Sequence, residues 1–222
     1  SRIIYFIRSN IFFPDSRCFW IKKATNMATN FIKENNVNYL ITTAPPFSTH
    51  IIGLKLKEKL KINWISDFRD PWSDFFQFKL MPMMSIVRKR HKFYEIKCLQ
   101  NSDIVITTSP SLTMSYSNFN DNAVTVTNGF ENYVKKVKSK KFLICYSGMM
   151  NNVQNPSKLW KVLFDLSIEN REFRNDLEVR MIGSFGNEIR NDTHIKKLNG
   201  KVKFKNYMDK EKLDSELSLA QV

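Results

Sequence analysis

The chain has 222 residues, with 35 Lys+Arg against 21 Asp+Glu, a formal charge of +14. Hydrophobic residues make up 42%, charged residues 25% and aromatics 13%, a globular composition that excludes disorder along most of the chain. Only 6 glycines are present, which excludes collagen-like and glycine-linker readings, and no stretch approaches the ~18 apolar residues of a membrane span.

In chain order, Pro14-Asp15-Ser16 signals a helix start, and Trp20, Ala24, Met27, Ala28, Phe31 and Ile32 behind it fall on one predicted helical face. Strand 37–43 (VNYLITT) follows, then a helix capped by Ser48 or Thr49 and running to about Leu60. Strand 62–67 (INWISD) leads past a charged cluster to a helix over 84–100. Strands 103–109 (DIVITTS) and 123–127 (AVTVT) complete the first half. The turn signal Asn128-Gly129 and the charged, non-periodic ENYVKKVKSKK interrupt the rhythm. It restarts with strand 142–148 (FLICYSG), a helix over 156–168, strands 177–183 (LEVRMIG) and 201–205 (KVKFK), and a weaker helix over 210–219.

The strands are rich in Ile, Val and aromatics and mostly lack strict alternation, the pattern of strands buried on both faces. Strand–helix alternation over the whole length predicts an α/β fold with parallel sheets and right-handed crossovers. We read two α/β domains, 1–129 and 130–222, joined at the interruption. The closing SLAQV reads as the start of another strand, and the opening lacks the first strands of a doubly wound sheet, so both domains are expected to be incomplete here. SRIIYFIRSN lacks the apolar core and cleavage site of a signal peptide. Cys18, Cys98 and Cys145 are odd in number and far apart, which fits reduced, cytoplasmic thiols. His50, His91 and His194 are equally scattered, so no metal site is predicted.

In open parallel sheets ligands bind beyond the carboxyl ends of the strands. There, Asp67-Phe68-Arg69-Asp70-Pro71-Trp72 sets two carboxylates around one guanidinium. Such an Arg holds phosphate or carboxylate bidentately, and a neighbouring Asp orients it or accepts a proton; the alternative is a structural Asp–Arg pair pinning a loop. His50, near a helix start, is a candidate substrate contact or an ordinary packing residue. Ser147-Gly148 with Asn151 and Asn152 reads as a loop presenting N–H groups before a helix, and Gly183 and Gly186 read as a site or a simple turn. In the stretch 75–92, from Phe75 to Lys92, the residues Phe75, Phe76, Phe78, Leu80, Met81, Met83 and Met84 precede Arg88-Lys89-Arg90-His91-Lys92. That is either a contact with an anionic membrane surface or a helix with a buried apolar start and a solvated basic turn. Nucleic acid is disfavoured, because no RNP-type aromatic motif, zinc-finger spacing or KH loop is present.

TTAPPFSTHIIGLKLKEKLKINWISDFRDPWSD, NSDIVITTSPSL, VTNGFEN and YSGMMNNVQNPSKLW, in this order and spacing, resemble bacterial glycosyltransferases of family 4. The resemblance covers roughly residues 12–208. It implies a GT-B fold of two Rossmann-like domains, acceptor side first and donor side second. It further implies transfer of a sugar from a nucleotide-sugar donor, with retention, to a glycan or lipid-linked acceptor in surface polysaccharide synthesis, at the inner face of the plasma membrane, with no cofactor. Carried over, His50, Asp67, Arg69 and Asp70 would line the reacting sugar and acceptor, with Asp70 orienting the acceptor. Asn128-Gly129 would be the hinge between domains. Ser147, Gly148, Asn151 and Asn152 would face the donor diphosphate, and Gly183, Asn206 and Tyr207 the nucleoside. Where the family places Arg or Lys soon after the Gly148 position, this chain has Met149 and Met150, with Lys158 the first cation. The family's glutamate pair would fall beyond Val222. The competing readings are another GT-B enzyme, such as a nucleotide-sugar epimerase, and a non-catalytic basic binding module.

Overall fold

The computed structural model describes residues 2–75, 78, 80–129 and 135–222. Phe76 and residues 131–134 of the charged segment therefore lie outside the described residues. The chain divides into two compact units, Ser1–Gly129 and Phe130–Val222.

The first unit carries helices α1 (Arg2–Ile11) and α2 (Trp20–Glu34), strand β1 (Tyr39–Ala44), helix α3 (Ser48–Leu60), strand β2 (Asn63–Phe68), helix α4 (Ser85–Asn101), strand β3 (Ile104–Thr107), helix α5 (Pro110–Ser117) and strand β4 (Ala123–Thr125). Its sheet is parallel throughout, in the order β1-β2-β3-β4. Ala44, Phe47, Trp64, Phe68, Trp72, Cys98, Leu99 and Val105 form its core. Placing Asp103 before β3 joins the layers: its carboxylate accepts from Lys57 Nζ (2.7 Å) and from the Trp64 N–H (2.6 Å).

Two expectations are corrected here. The stripe of α2 that turns inward is Ile21, Ala24, Thr25, Ala28, Thr29 and Ile32, while Trp20, Met27 and Phe31 are exposed. Threonine tolerates that burial because Thr25 and Thr29 donate their hydroxyls to the carbonyls of Ile21 and Thr25, at 2.8 Å each. The strands of this sheet also alternate: Thr42, Ala44, Ser66, Phe68 and Val105 are buried, whereas Tyr39, Ile41, Ile104 and Val124 are exposed. Helices thus cover one face only among the described residues. Helix α1 was not legible as an element; Ser9 and Asn10 tie it to the Pro82 carbonyl, and the Met84 N–H returns a bond to Asn10 Oδ1 (2.8 Å).

The second unit runs β5 (Phe142–Met150), a 3-10 turn (Asn152–Gln154), α6 (Ser157–Glu169), α7 (Arg171–Asp176), β6 (Leu177–Phe185), α8 (Asn187–Arg190), α9 (Thr193–Lys197), β7 (Val202–Lys205) and α10 (Lys210–Ser218). Its sheet, β5-β6-β7, is again parallel. Trp160, Leu163, Leu177, Val179, Met181, Phe185 and Ile189 pack among its core residues. Charge also joins α10 to the sheet: Glu216 binds Arg180 (2.7 Å) and Lys205, and Arg180 also binds Glu178 (2.7 Å). Gln221 and Val222 make backbone hydrogen bonds to Leu143 and Cys145 of β5. All three cysteines are free.

Candidate functional site

In the first unit, β1 runs into Pro45 and Pro46 and then α3, and β2 runs into Arg69, Asp70 and Pro71. The Arg69 N–H donates to the Ala44 carbonyl (3.1 Å), and Thr108 Oγ1 donates to the Arg69 carbonyl (3.0 Å). The guanidinium then reaches Asn128, with Nη2 2.8 Å from Oδ1. Asp67, Arg69, Thr108, Asn128 and Gly129 line a depression of about 430 Å3, floored by Ile41, Ile106 and Val126. The structure thus brings Asp67, Arg69 and the expected hinge residues to one place. Neither Asp67 nor Asp70 pairs with Arg69, so the Asp–Arg clamp does not form; among the described residues both carboxylates are without a partner. Asp70 is half-buried and does not line the depression.

His50 takes the second of its two readings, an ordinary packing residue. Its ring is fully buried, against Phe68 at 4.2 Å and Trp64 at 6.3 Å between centroids. Trp64 Nε1 donates to Thr42 Oγ1 (2.9 Å), whose O–H can in turn donate to His50 Nδ1 (2.8 Å). The imidazole proton then sits on Nε2, which is buried without a partner. Burial pulls its pKa to about 3. A group with no exposed atom makes no substrate contact in this structure, and His50 is a core residue.

The motif loop is held by a residue not singled out in the sequence. Glu95, 1% exposed, accepts from the Trp72 N–H (3.1 Å), the Ser73 N–H (3.2 Å), Tyr116 Oη (2.8 Å) and Lys92 Nζ (3.0 Å). The Trp72 ring stacks on Phe47 at 4.9 Å, and its Nε1 donates to His91 Nδ1 (2.9 Å). A signal for Glu95 existed. Val87, His91, Glu95 and Cys98 occupy one helical stripe of α4, so an acid there is turned to the core.

The apolar and basic stretch is part internal and part exposed. Phe75 and Phe78 pack on Phe47 (6.3 and 6.1 Å). Arg88 donates to the carbonyls of Phe78, Met81 and Met83, Arg90 lies over the Phe13 ring (4.1 Å), and His91 is buried. Of the five basic positions only Lys89 lacks a partner among the described residues. The exposed apolar residues here are Leu80, Met84 and Ile86.

Burial, with Arg90 adjacent, lowers the His91 pKa to about 4. Both His50 and His91 therefore titrate below the ordinary 6.5. Below pH 6.5 the unfolded chain takes up protons that the folded chain refuses. Stability is complete above that pH and falls toward pH 4, by about 1.4 kcal/mol per pH unit for each histidine. Urea midpoints at pH 7 and pH 5 check this, and His91→Gln is expected to shrink the difference; an unchanged difference would contradict it.

In the second unit, β5 and β6 meet in register at Gly148 and Gly183, with φ of 146° and 129°. A Cβ on Gly183 would lie 2.1 Å from the Gly148 carbonyl oxygen. Both glycines are half-buried, and the close approach of β5 to β6 here leaves no room for a side chain on Gly183. Ser147 is exposed beside Gly148, and Asn206 and Tyr207 follow β7, with Tyr207 90% exposed. Asn151 and Asn152 do not present a free N–H cradle. Asn151 Oδ1 accepts from the N–H groups of Val153 and Gln154, and Gln154 Oε1 accepts from the Asn151 N–H (3.0 Å). Asn152 Oδ1 accepts from the Glu188 N–H (3.3 Å), against Gly186. The turn closes on itself. Among the described residues no cluster of three His, Cys, Asp or Glu could hold a metal ion, and no helix is long and apolar enough to cross a membrane.

No protein-family model matches this chain, and no curated protein matches it. Solved structures do. Sucrose-phosphate synthase from Thermosynechococcus elongatus aligns with 92% of this chain and 54% of its own, at TM-score 0.64 and 13% identity. HepE from Anabaena, in complex with UDP, aligns with 90% and 54%, at TM-score 0.58 and 13% identity. A Listeria monocytogenes protein assigned as a UDP-N-acetylglucosamine 2-epimerase aligns with 95% and 57%, at TM-score 0.50 and 12% identity. The chain spans about half the length of these structures. The likeness is one of fold, and it is the fold expected: α/β, with Rossmann-like units of the GT-B type.

Proposed function

We propose that the chain serves sugar transfer from a nucleotide-sugar donor, as a retaining, family 4-like glycosyltransferase acting on a glycan or lipid-linked acceptor in surface polysaccharide synthesis. One observation carries the reading: the side-chain-free pair Gly148 and Gly183 at the carboxyl ends of β5 and β6. Glycines there let a diphosphate approach the backbone closely, at the sheet edge where open α/β folds bind ligands. Ser147 and Gly148 would meet the diphosphate, and Asn206 and Tyr207 the nucleoside. The Ser1–Gly129 unit would take the acceptor, with Arg69 held ready by Asn128 and Asp70 orienting the attacking hydroxyl. The protein would work in the cytoplasm, at the inner face of the plasma membrane.

The reading is tested by assaying transfer from UDP- and GDP-sugars to lipid-linked and free glycans, with the anomeric configuration of the product read by NMR. Arg69→Ala is expected to lower kcat/KM roughly thirty-fold, the equivalent of about 2 kcal/mol for a lost charge-assisted hydrogen bond. Full activity in that variant would remove Arg69 from the site. Sugar conversion with no acceptor present would instead indicate an epimerase.

A further inference from the structure

A second cavity, of about 370 Å3, lies between α1, the segment 12–17 and the turn after β1. Its walls are apolar, formed by Phe12, Pro46, Phe47, Phe75, Phe78 and Met83. Its charged groups sit at the rim. Arg8 and Arg17 are exposed, and among the described residues neither guanidinium has a partner. Asp15 is there too, but its oxygens already accept from the N–H groups of Ser48 (2.8 Å) and Arg17 (2.9 Å). The first of these is the N-terminus of α3, whose dipole offsets the carboxylate charge. His91, on the wall, is neutral near pH 7. Elsewhere on α1, Ile3 (70%), Ile4 (65%) and Ile11 (69%) are exposed.

We infer that this pouch holds the hydrocarbon chain of a phosphate-bearing lipid, with the phosphate between Arg8 and Arg17. Apolar walls alone would accept any hydrocarbon, and unpaired arginines alone would accept any anion. Their combination selects an amphiphile with an anionic head, which guanidinium groups can grip by paired hydrogen bonds. Exposed isoleucines on the helix that carries Arg8 suit a lipid presented by a bilayer. The pouch is distinct from the Asp67–Arg69–Asn128 depression, and the inference stands without sugar transfer because binding is read with no donor present.

The test titrates the chain with decyl phosphate below its critical micelle concentration, following heat or tryptophan emission. Saturable binding is expected, weakened at least ten-fold by Arg8→Ala with Arg17→Ala and unchanged by Lys89→Ala, all surface substitutions. Decyl glucoside and inorganic phosphate should each bind at least ten-fold more weakly. Equal binding of decyl glucoside, or indifference to the double substitution, would overturn the assignment. Phosphatidylcholine vesicles containing phosphatidic acid should sediment the chain, and decyl phosphate should release it. Vesicle binding that decyl phosphate does not displace would overturn the lipid as occupant.

Discussion

Gly183→Ala is expected to destabilise the Phe130–Val222 unit severely. The added Cβ would sit 2.1 Å from the Gly148 carbonyl oxygen and 3.0 Å from its carbon, and both atoms are backbone of the neighbouring strand. Relief requires parting β5 from β6, the two strands that supply most of that unit's sheet. The φ of 129° adds strain for any side chain, of order 1–3 kcal/mol. With the clash, the loss should exceed about 3 kcal/mol, enough to matter against the usual margin of 5–15 kcal/mol. Gly200→Ala separates the two causes. Its φ is also positive, at 77°, yet nothing lies within 4 Å of the added Cβ. It should lose only the strain, about 1 kcal/mol. Urea denaturation followed by the backbone amide NMR signals of the Phe130–Val222 unit reads both. Equal losses in the two variants would mean that the approach of Gly183 to Gly148 is not as close as described.

Glu95→Ala should lower stability by about 3–5 kcal/mol, the range for removing one partner of a buried charged network. It would leave the Ser73 N–H and the Tyr116 hydroxyl without their acceptor, and the Trp72 N–H with only Tyr116 Oη (3.2 Å). The effect would not stop at stability. Trp72 and Ser73 end the loop that begins at Arg69, so the variant should also loosen Asp70. Glu95→Gln keeps the shape and one acceptor oxygen but presents an NH2 group to donors, and it should fall between the two. Denaturant midpoints in the order wild type, Gln, Ala are expected. Wild-type stability in Glu95→Ala would contradict the network.

Much of the fold was legible because its strands are short apolar runs ending in turn residues. The runs at 142–148 and 177–183 correspond to Phe142–Met150 and Leu177–Phe185, and the helix at 84–100 to Ser85–Asn101. What was misread had specific physical causes. Helix α1 is amphipathic, yet Ile3, Ile4, Tyr5, Phe6, Ile7 and Ile11 remain exposed instead of joining a core, so the strand–helix rhythm of the packed layers does not announce it. The inward face of α2 was displaced because buried threonines satisfy their hydroxyls on the helix backbone, which hydropathy does not register. The open sheet face was read as covered because Ile41 and Ile104 are as apolar as core residues.

At the site, the sequence located the strand ends but not the partners of their side chains. Arg69 looked destined for the neighbouring Asp67 or Asp70 and instead reaches Asn128, 59 residues on. His50 looked accessible because it follows a turn, yet its place in the first turn of α3 points it at Phe68. Asn151 and Asn152 looked like ligand donors, whereas short polar side chains beside a helical turn tend to cap it.

Sugar transfer by this chain requires the Phe130–Val222 unit to bind a nucleoside diphosphate at Gly148 and Gly183. Titration of the isotope-labelled chain with uridine and guanosine diphosphates, followed by backbone amide NMR, tests this most directly. One nucleotide should saturate in the micromolar range, with the largest shifts at Gly148, Gly183 and Tyr207. No saturable binding of either nucleotide, or shifts confined to the Ser1–Gly129 unit, would contradict it.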